Sequence, residues 1–212
     1  MLISFLVEKE SPLIYKADLI FLLDSSNDVS TKVFKEQKDF IKSIVGKFLI
    51  ASNKTRVAVV SYSSRASSVI TFSTFDNLLD LFRGIDSIRY IGGIRRMDAA
   101  LKEANKLRET ARSDVPIYVI FLTAGRQAST AVSTPLDRAA QPILDSTARM
   151  FVVGIGSRPE EMELFSMVER SRDVFRFPSE KMKEEVPLFV INMASQTGIH
   201  GLKHVGIIYI LL

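Results

Sequence analysis

Asp18-Leu19-Ile20-Phe21-Leu22-Leu23-Asp24-Ser25-Ser26-Asn27-Asp28 decides how the rest of the chain is read, because an apolar run passes without a break into carboxylate and hydroxyl groups. A short continuous apolar run of this kind is the pattern of a strand buried on both faces of a parallel sheet. In open α/β sheets ligands bind beyond the carboxyl ends of the strands, so Asp24, Ser26 and Asp28 fall where a site is expected. Their oxygens suit hard cations such as Mg²⁺, provided the chain supplies the remaining ligands farther along.

From Ala17 onward short β-branched runs alternate with longer amphipathic ones, which predicts an α/β fold: a doubly wound, mostly parallel six-stranded sheet with helices on both faces. Strands are predicted at residues 18–23, 56–62, 68–72, 117–122, 150–155 and 174–177. The second and third are joined by Ser63-Ser64-Arg65-Ala66-Ser67, too short for a crossover helix, so the third runs antiparallel, at an edge. Val33, Phe34, Gln37, Phe40, Ile41, Ile44, Val45 and Phe48 share one helical face. A shorter helix is predicted around residues 78–82, and others over 97–112, 136–146 and 159–169, the last opening on Pro159. A final helix is predicted over 179–193, with Ser179 as its N-cap and Met182 facing the sheet.

The 212 residues, 47% apolar and 25% charged, suffice for one domain with a full core. It is expected over residues 16–197, after a lead-in of residues 1–15 and before a tail of residues 198–212 that reads as the cut edge of a larger multi-domain chain. With 28 basic against 24 acidic residues the net charge of +4 describes a mixed, solvated surface, and no nucleic-acid partner is implied. The absence of cysteine excludes disulfides, thiolate catalysis and Cys-based zinc sites. The apolar start, Met1 to Val7, lacks the basic region and cleavage site of a complete signal peptide. Gly206 to Leu212 is far shorter than the ~20 residues a bilayer requires, so no membrane partner is expected.

Catalysis finds no support. His200 and His204 have the i, i+4 spacing of a helical metal pair, but Gly198, Gly201 and Gly206 around them oppose a helix. Gly154-Ile155-Gly156 lacks the third glycine of a dinucleotide loop and comes late in the chain, so no cofactor is expected. The serines between Ser61 and Ser68 have neither a Gly-x-Ser-x-Gly setting nor a histidine partner within the domain.

Three blocks, in order, carry a resemblance to the von Willebrand factor A domain family. They are the strand ending in Asp24-Ser25-Ser26-Asn27-Asp28, the loop Tyr90-Ile91-Gly92-Gly93-Ile94-Arg95-Arg96-Met97 leading into Ala100-Leu101, and Ile120-Phe121-Leu122-Thr123-Ala124-Gly125-Arg126. Val57-Ala58-Val59-Val60-Ser61-Tyr62-Ser63 and Phe151-Val152-Val153-Gly154-Ile155-Gly156 extend it, so that it covers about Ala17 to Ser195. Among matrix members the chain is most similar to the A domains of collagen VI-like chains, a group that the Leu122-Thr123-Ala124-Gly125 variant fits.

The resemblance implies the Rossmann-like fold of that family and a comparison with its metal site. Metal-binding members hold the ion with Asp-x-Ser-x-Ser, a Thr in the Gly-Gly loop and an Asp ahead of the glycine after the fourth strand. Asp24 and Ser26 match; Asp28 stands at the second Ser, Arg95 at the Thr and Ala124 at the last Asp. Arginine cannot ligate a cation and alanine offers no side-chain oxygen, so a degenerate site holding no metal is expected. Two readings of Arg95 stay open: pairing with Asp24 or Asp28, or pointing into solvent while backbone donors and Ser26 hold Asp24. Arg95, Arg96 and Arg126, with Arg158 beyond them, all follow strand ends and make a candidate cationic ligand face, for sulfated glycans or acidic segments. By family resemblance the chain is expected to be a non-enzymatic interaction or adhesion module, extracellular, binding matrix proteins such as collagens without a metal. The alternatives are a structural spacer or self-association domain, and an intracellular scaffold.

Overall fold

The computed structural model describes residues 16–156 and 160–178. In chain order these form β1 (Asp18–Asp24), α1 (Thr31–Val45), β2 (Arg56–Tyr62), β3 (Ala66–Ile70), α2 (Leu78–Ser87), α3 (Met97–Glu109), β4 (Ile117–Thr123), α4 (Leu136–Leu144), β5 (Arg149–Ile155), α5 (Glu161–Ser166) and β6 (Val174–Phe177). The six strands make one sheet of order β3-β2-β1-β4-β5-β6, parallel throughout except for the antiparallel β2–β3 pair at one edge.

Every residue of β1 is buried, because successive side chains leave a strand on opposite faces and here both faces are covered. Leu19, Phe21 and Leu23 pack with Phe34, Phe40, Ile41 and Ile44 of α1 and with Leu81 and Ile85 of α2. Ile20 and Leu22 pack with Met97, Leu101 and Ala104 of α3 and with Leu136, Ala140 and Ile143 of α4. Truncating one large side chain here, as in Phe21→Ala, costs about 3 to 5 kcal/mol through lost burial and the cavity left behind. The chain leaves β1 for β2 on one side and returns to β4 on the other, so the carboxyl ends of β1 and β4 flank a topological switch point.

At the opposite end of the sheet the buried Asp18 carboxylate accepts from Arg56 Nε at 2.9 Å, from Arg112 Nη2 at 2.7 Å and from the Arg112 amide at 2.8 Å. Burial alone would raise its pKa; the two arginines outweigh that and hold it below the ordinary carboxylate value. Arg112 also donates from Nη2 to the carbonyls of Ala17 and Lys54, closing this end of the fold.

Several predicted boundaries move for local reasons. The edge strand, predicted at 68–72, is Ala66–Ile70. The link is only Ser63 to Arg65, closed by the Ser63 amide on the Arg65 carbonyl at 2.8 Å, and pairing begins at once with Ala66 opposite Tyr62. The Thr71 amide is then taken by Thr74 Oγ1 at 2.9 Å, which turns the chain, and Phe72 folds into the core instead of extending the strand. Helix α3 stops at Glu109, three residues before the predicted 112, where Thr110 Oγ1 bonds the Leu107 carbonyl and Arg112 turns toward Asp18. Helix α4 ends at Leu144 where Ser146 Oγ caps the Ile143 carbonyl, and α5 is confined to Glu161–Ser166. Arg158, Pro159, the helix predicted over 179–193 with Ser179 and Met182, the lead-in and the tail with His200 and His204 lie outside the described residues.

Candidate functional site

Asp24 ends β1 fully buried, and its main chain is clamped from α1: its amide donates to Gln37 Oε1 and its carbonyl accepts from Gln37 Nε2, both at 3.0 Å. Gln37 therefore supplies the pairing that a sheet neighbour no longer gives at the strand end. The Asp24 carboxylate accepts three bonds, from the Ser26 amide (3.0 Å), the Ala124 amide (3.1 Å) and Arg95 Nε (2.7 Å). Below it, burial followed by the nearby Asp24 charge pushes the Tyr62 phenol far above its ordinary value, so it stays protonated and donates to the Leu122 carbonyl at 2.8 Å.

The loop between α2 and α3 is laid against the β1 loop by main-chain bonds that need glycine. Gly92 (φ 77°) and Gly93 (φ 104°) adopt left-handed conformations, and a Cβ on either would collide with Asn27 Oδ1 or Ser64 Oγ. Those two atoms accept the Gly93 and Ile94 amides at 2.8 and 3.0 Å. Ser25 Oγ accepts the Ile91 amide at 2.7 Å, and the Asn27 amide donates to the Gly93 carbonyl at 2.8 Å.

This backbone delivers Arg95 into the crevice. Its side chain is 3% exposed, which excludes the solvent-pointing alternative. Besides the Asp24 bond, Nη1 reaches Asp28 Oδ2 and the Arg126 carbonyl, each at 3.2 Å. Burial works against the charged guanidinium, but the Asp24 carboxylate outweighs it and raises the pKa above the ordinary arginine value. Gly125 packs directly on the guanidinium, since a Cβ there would overlap Nη1. Arg95 Nη2 and the Ser26 hydroxyl are buried without a hydrogen-bond partner among the described residues.

The structure places the three arginines of the expected ligand face in different settings. Arg95 is inside the crevice, and Arg96 is turned onto Asp98, donating from Nε and Nη2 at 2.8 Å each, while Asp98 also accepts the Thr134 amide. Only Arg126 projects, 65% exposed and paired with Glu160 at 2.8 Å. The reason is local: each arginine has a carboxylate within reach, and partly buried charges pair before they face solvent. The carboxyl-end loops instead present apolar groups, with Ile91 60%, Ile94 48% and Val132 72% exposed. In the sequence Gln37 reads only as a member of an apolar stripe, although a buried amide amid hydrophobic residues signals the buried polar partner that it has in Asp24. Asn27 and Ser64 as acceptors for the Gly-Gly loop are not legible at all, their partners being 66 and 30 positions away.

A doubly wound sheet with a charged crevice on the loops beyond β1 and β4, tied by a paired-glycine loop, defines a Rossmann-like α/β domain, a class in which ligands bind beyond the carboxyl ends of the strands. The chain belongs to the von Willebrand factor type A domain family, whose sequence profile matches residues 18–188. It is similar to the mouse collagen alpha-4(VI) chain, 32% identical over 141 residues, covering 66% of this chain and 6% of that one. It is also similar to the transmembrane cell adhesion receptor mua-3 of Caenorhabditis elegans, 31% identical over 160 residues, covering 72% of this chain and 4% of the receptor. The chain thus spans a small fraction of the length of the relatives it matches. Proximal thread matrix protein 1 from the mussel byssus shares the fold, with TM-score 0.77 and 20% identity over 84% of this chain and 48% of that one.

Proposed function

We propose that this chain is a non-enzymatic A domain, spanning residues 16–197, of a multi-domain extracellular matrix or adhesion protein, and that it engages matrix proteins such as collagens without a divalent ion. The observation that carries the reading is the Arg95 guanidinium lying between Asp24 and Asp28. A divalent ion does not fit these residues. Both Asp24 oxygens already accept hydrogen bonds, Ala124 offers the crevice an N–H donor, and a fixed positive charge stands within contact distance. The unmet buried donor on Arg95 calls for an acceptor and not for another cation. Partner contact then falls to the exposed aliphatic side chains of the same loops, Ile91 and Ile94, held in place by the hydrogen bonds of the Gly92-Gly93 segment. Relatives that are matrix collagens and an adhesion receptor support the extracellular placement.

The test is surface plasmon resonance against immobilised matrix proteins, collagens among them, with Mg²⁺ or with EDTA in the running buffer. Equal affinity in both buffers, and its loss in Ile94→Asp, is the expected result. Binding that disappears in EDTA would overturn the metal-independent reading.

A further inference from the structure

We propose that Asn53 is an N-glycan acceptor, carrying its sugar at the end of the sheet opposite the Asp24–Arg95 site; the proposal rests on the extracellular reading. Asn53-Lys54-Thr55 is the one Asn-x-Ser/Thr triplet in the chain, since Asn27, Asn77, Asn105 and Asn192 are followed two positions on by Val29, Leu79, Leu107 and Ala194. Such triplets occur by chance, so the structural setting decides. Asn53 is the third residue of a turn joining α1 to β2, closed by the Lys54 amide on the Ala51 carbonyl at 3.0 Å. The turn is held from beneath: Arg112 Nη2 donates to the Lys54 carbonyl at 2.6 Å, and Thr55 bridges to Ile50. Asn53 itself is exposed and makes no side-chain hydrogen bond among the described residues, so a substituent on Nδ2 displaces nothing in the fold.

Thr55, whose hydroxyl an oligosaccharyl transferase must recognise, is fully buried in the folded domain. Transfer therefore belongs to the unfolded nascent chain. The donor is a lipid diphosphate-linked oligosaccharide. The Asn53 amide nitrogen bonds to the anomeric carbon as the C–O bond to the diphosphate breaks, the lipid diphosphate leaves with the bonding pair, and one amide proton passes to the enzyme's base. β1 and β2 run parallel, with Asp18 opposite Arg56 and Asp24 opposite Tyr62. The turn is thus separated from the Asp24 crevice by a whole strand, about 20 Å at ~3.3 Å per residue. The glycan screens the Asp18–Arg112 end and leaves Ile91 and Ile94 open.

The full chain, placed behind a cleavable secretion signal and produced in a mammalian cell line, tests this by peptide mapping of medium and cells after peptide N-glycosidase treatment, which converts a glycosylated asparagine to aspartate. Conversion at Asn53 in the wild type and in Thr55→Ser, with the glycan-dependent gel shift lost in Asn53→Gln, is the expected outcome. Folded wild-type protein with an unmodified Asn53 overturns the proposal, and because the map is read on the wild type this holds whether or not Asn53→Gln folds. The same peptide from the native source separates the two readings. Unmodified there but modified in the directed chain, it sinks the extracellular placement while the acceptor assignment stands.

Discussion

Replacing Arg95 by alanine removes the cation from a carboxylate that has no access to water. Asp24 keeps the Ser26 and Ala124 amides but loses its shortest bond, at 2.7 Å, and its only charged partner among the described residues. Removing one member of a buried ion pair costs about 3 to 5 kcal/mol, because the remaining charge is left uncompensated. Asp28 lies 61% exposed and is solvated whether or not Arg95 is present, so it adds little to that figure. For a domain of this size each kcal/mol lowers Tm by ~2 to 4 °C, giving a fall of roughly 6 to 20 °C. Denaturant titration and calorimetry of the wild type, Arg95→Ala, Asp24→Asn and the double variant measure it. The double variant should recover a large part of the loss, with a coupling of about 2 to 3 kcal/mol, because the neutral amide introduced by Asp24→Asn does not need a cation. Arg95→Ala within ~1 kcal/mol of the wild type, at an unchanged denaturant slope, would refute the neutralisation argument.

Three further outcomes follow from the same geometry. Gly125→Ala pushes a methyl group against a guanidinium pinned on several sides and should cost about 1 to 3 kcal/mol, yet be tolerated in the Arg95→Ala background; an equal loss in both would place the strain elsewhere. Gln37→Leu leaves the Asp24 amide and carbonyl without partners and should lower stability by about 2 to 4 kcal/mol, with hydrogen exchange accelerated at the end of β1; unchanged protection there would show that the clamp is dispensable. Asp18 has a depressed folded-state pKa, so its contribution is fully present above its unfolded value near 3.8 and is lost as pH falls through the folded value. The stability gap between the wild type and Asp18→Asn, followed by denaturant titration across pH, should accordingly be open at neutral pH and close in acid; a gap that stays constant through the acid range would contradict the assignment.

The sheet is readable because its strands are continuous apolar runs whose burial on two faces leaves little choice of structure, as β1 and β4 show. The edge strand lies two residues earlier than its side chains suggest because Ala66, Ser67 and Ser68 are held by backbone pairing, which no side-chain pattern records. The positions of the site are legible as residue types, Asp24 and Ser26 against Arg95 and Ala124. The fate of Arg95 is not, since whether a loop arginine faces water depends on the course of the Gly92-Gly93 backbone. Arg96 escapes a sequence reading for a simpler reason: Asp98, its partner two residues on, looks like an ordinary first-turn acid of α3.

The carboxylate at the end of β1 is neutralised by a side chain 71 positions downstream. A counter-ion drawn from solvent can arrive after folding, leave again and leave behind an apo form with its own loop geometry. A counter-ion built into the chain arrives only when β1 and the Gly-Gly loop have both found their places, and then has no exchange rate and no concentration dependence. The buried Asp24–Arg95 pair is therefore complete from the moment the domain is folded, with both of its charges carried by the same chain.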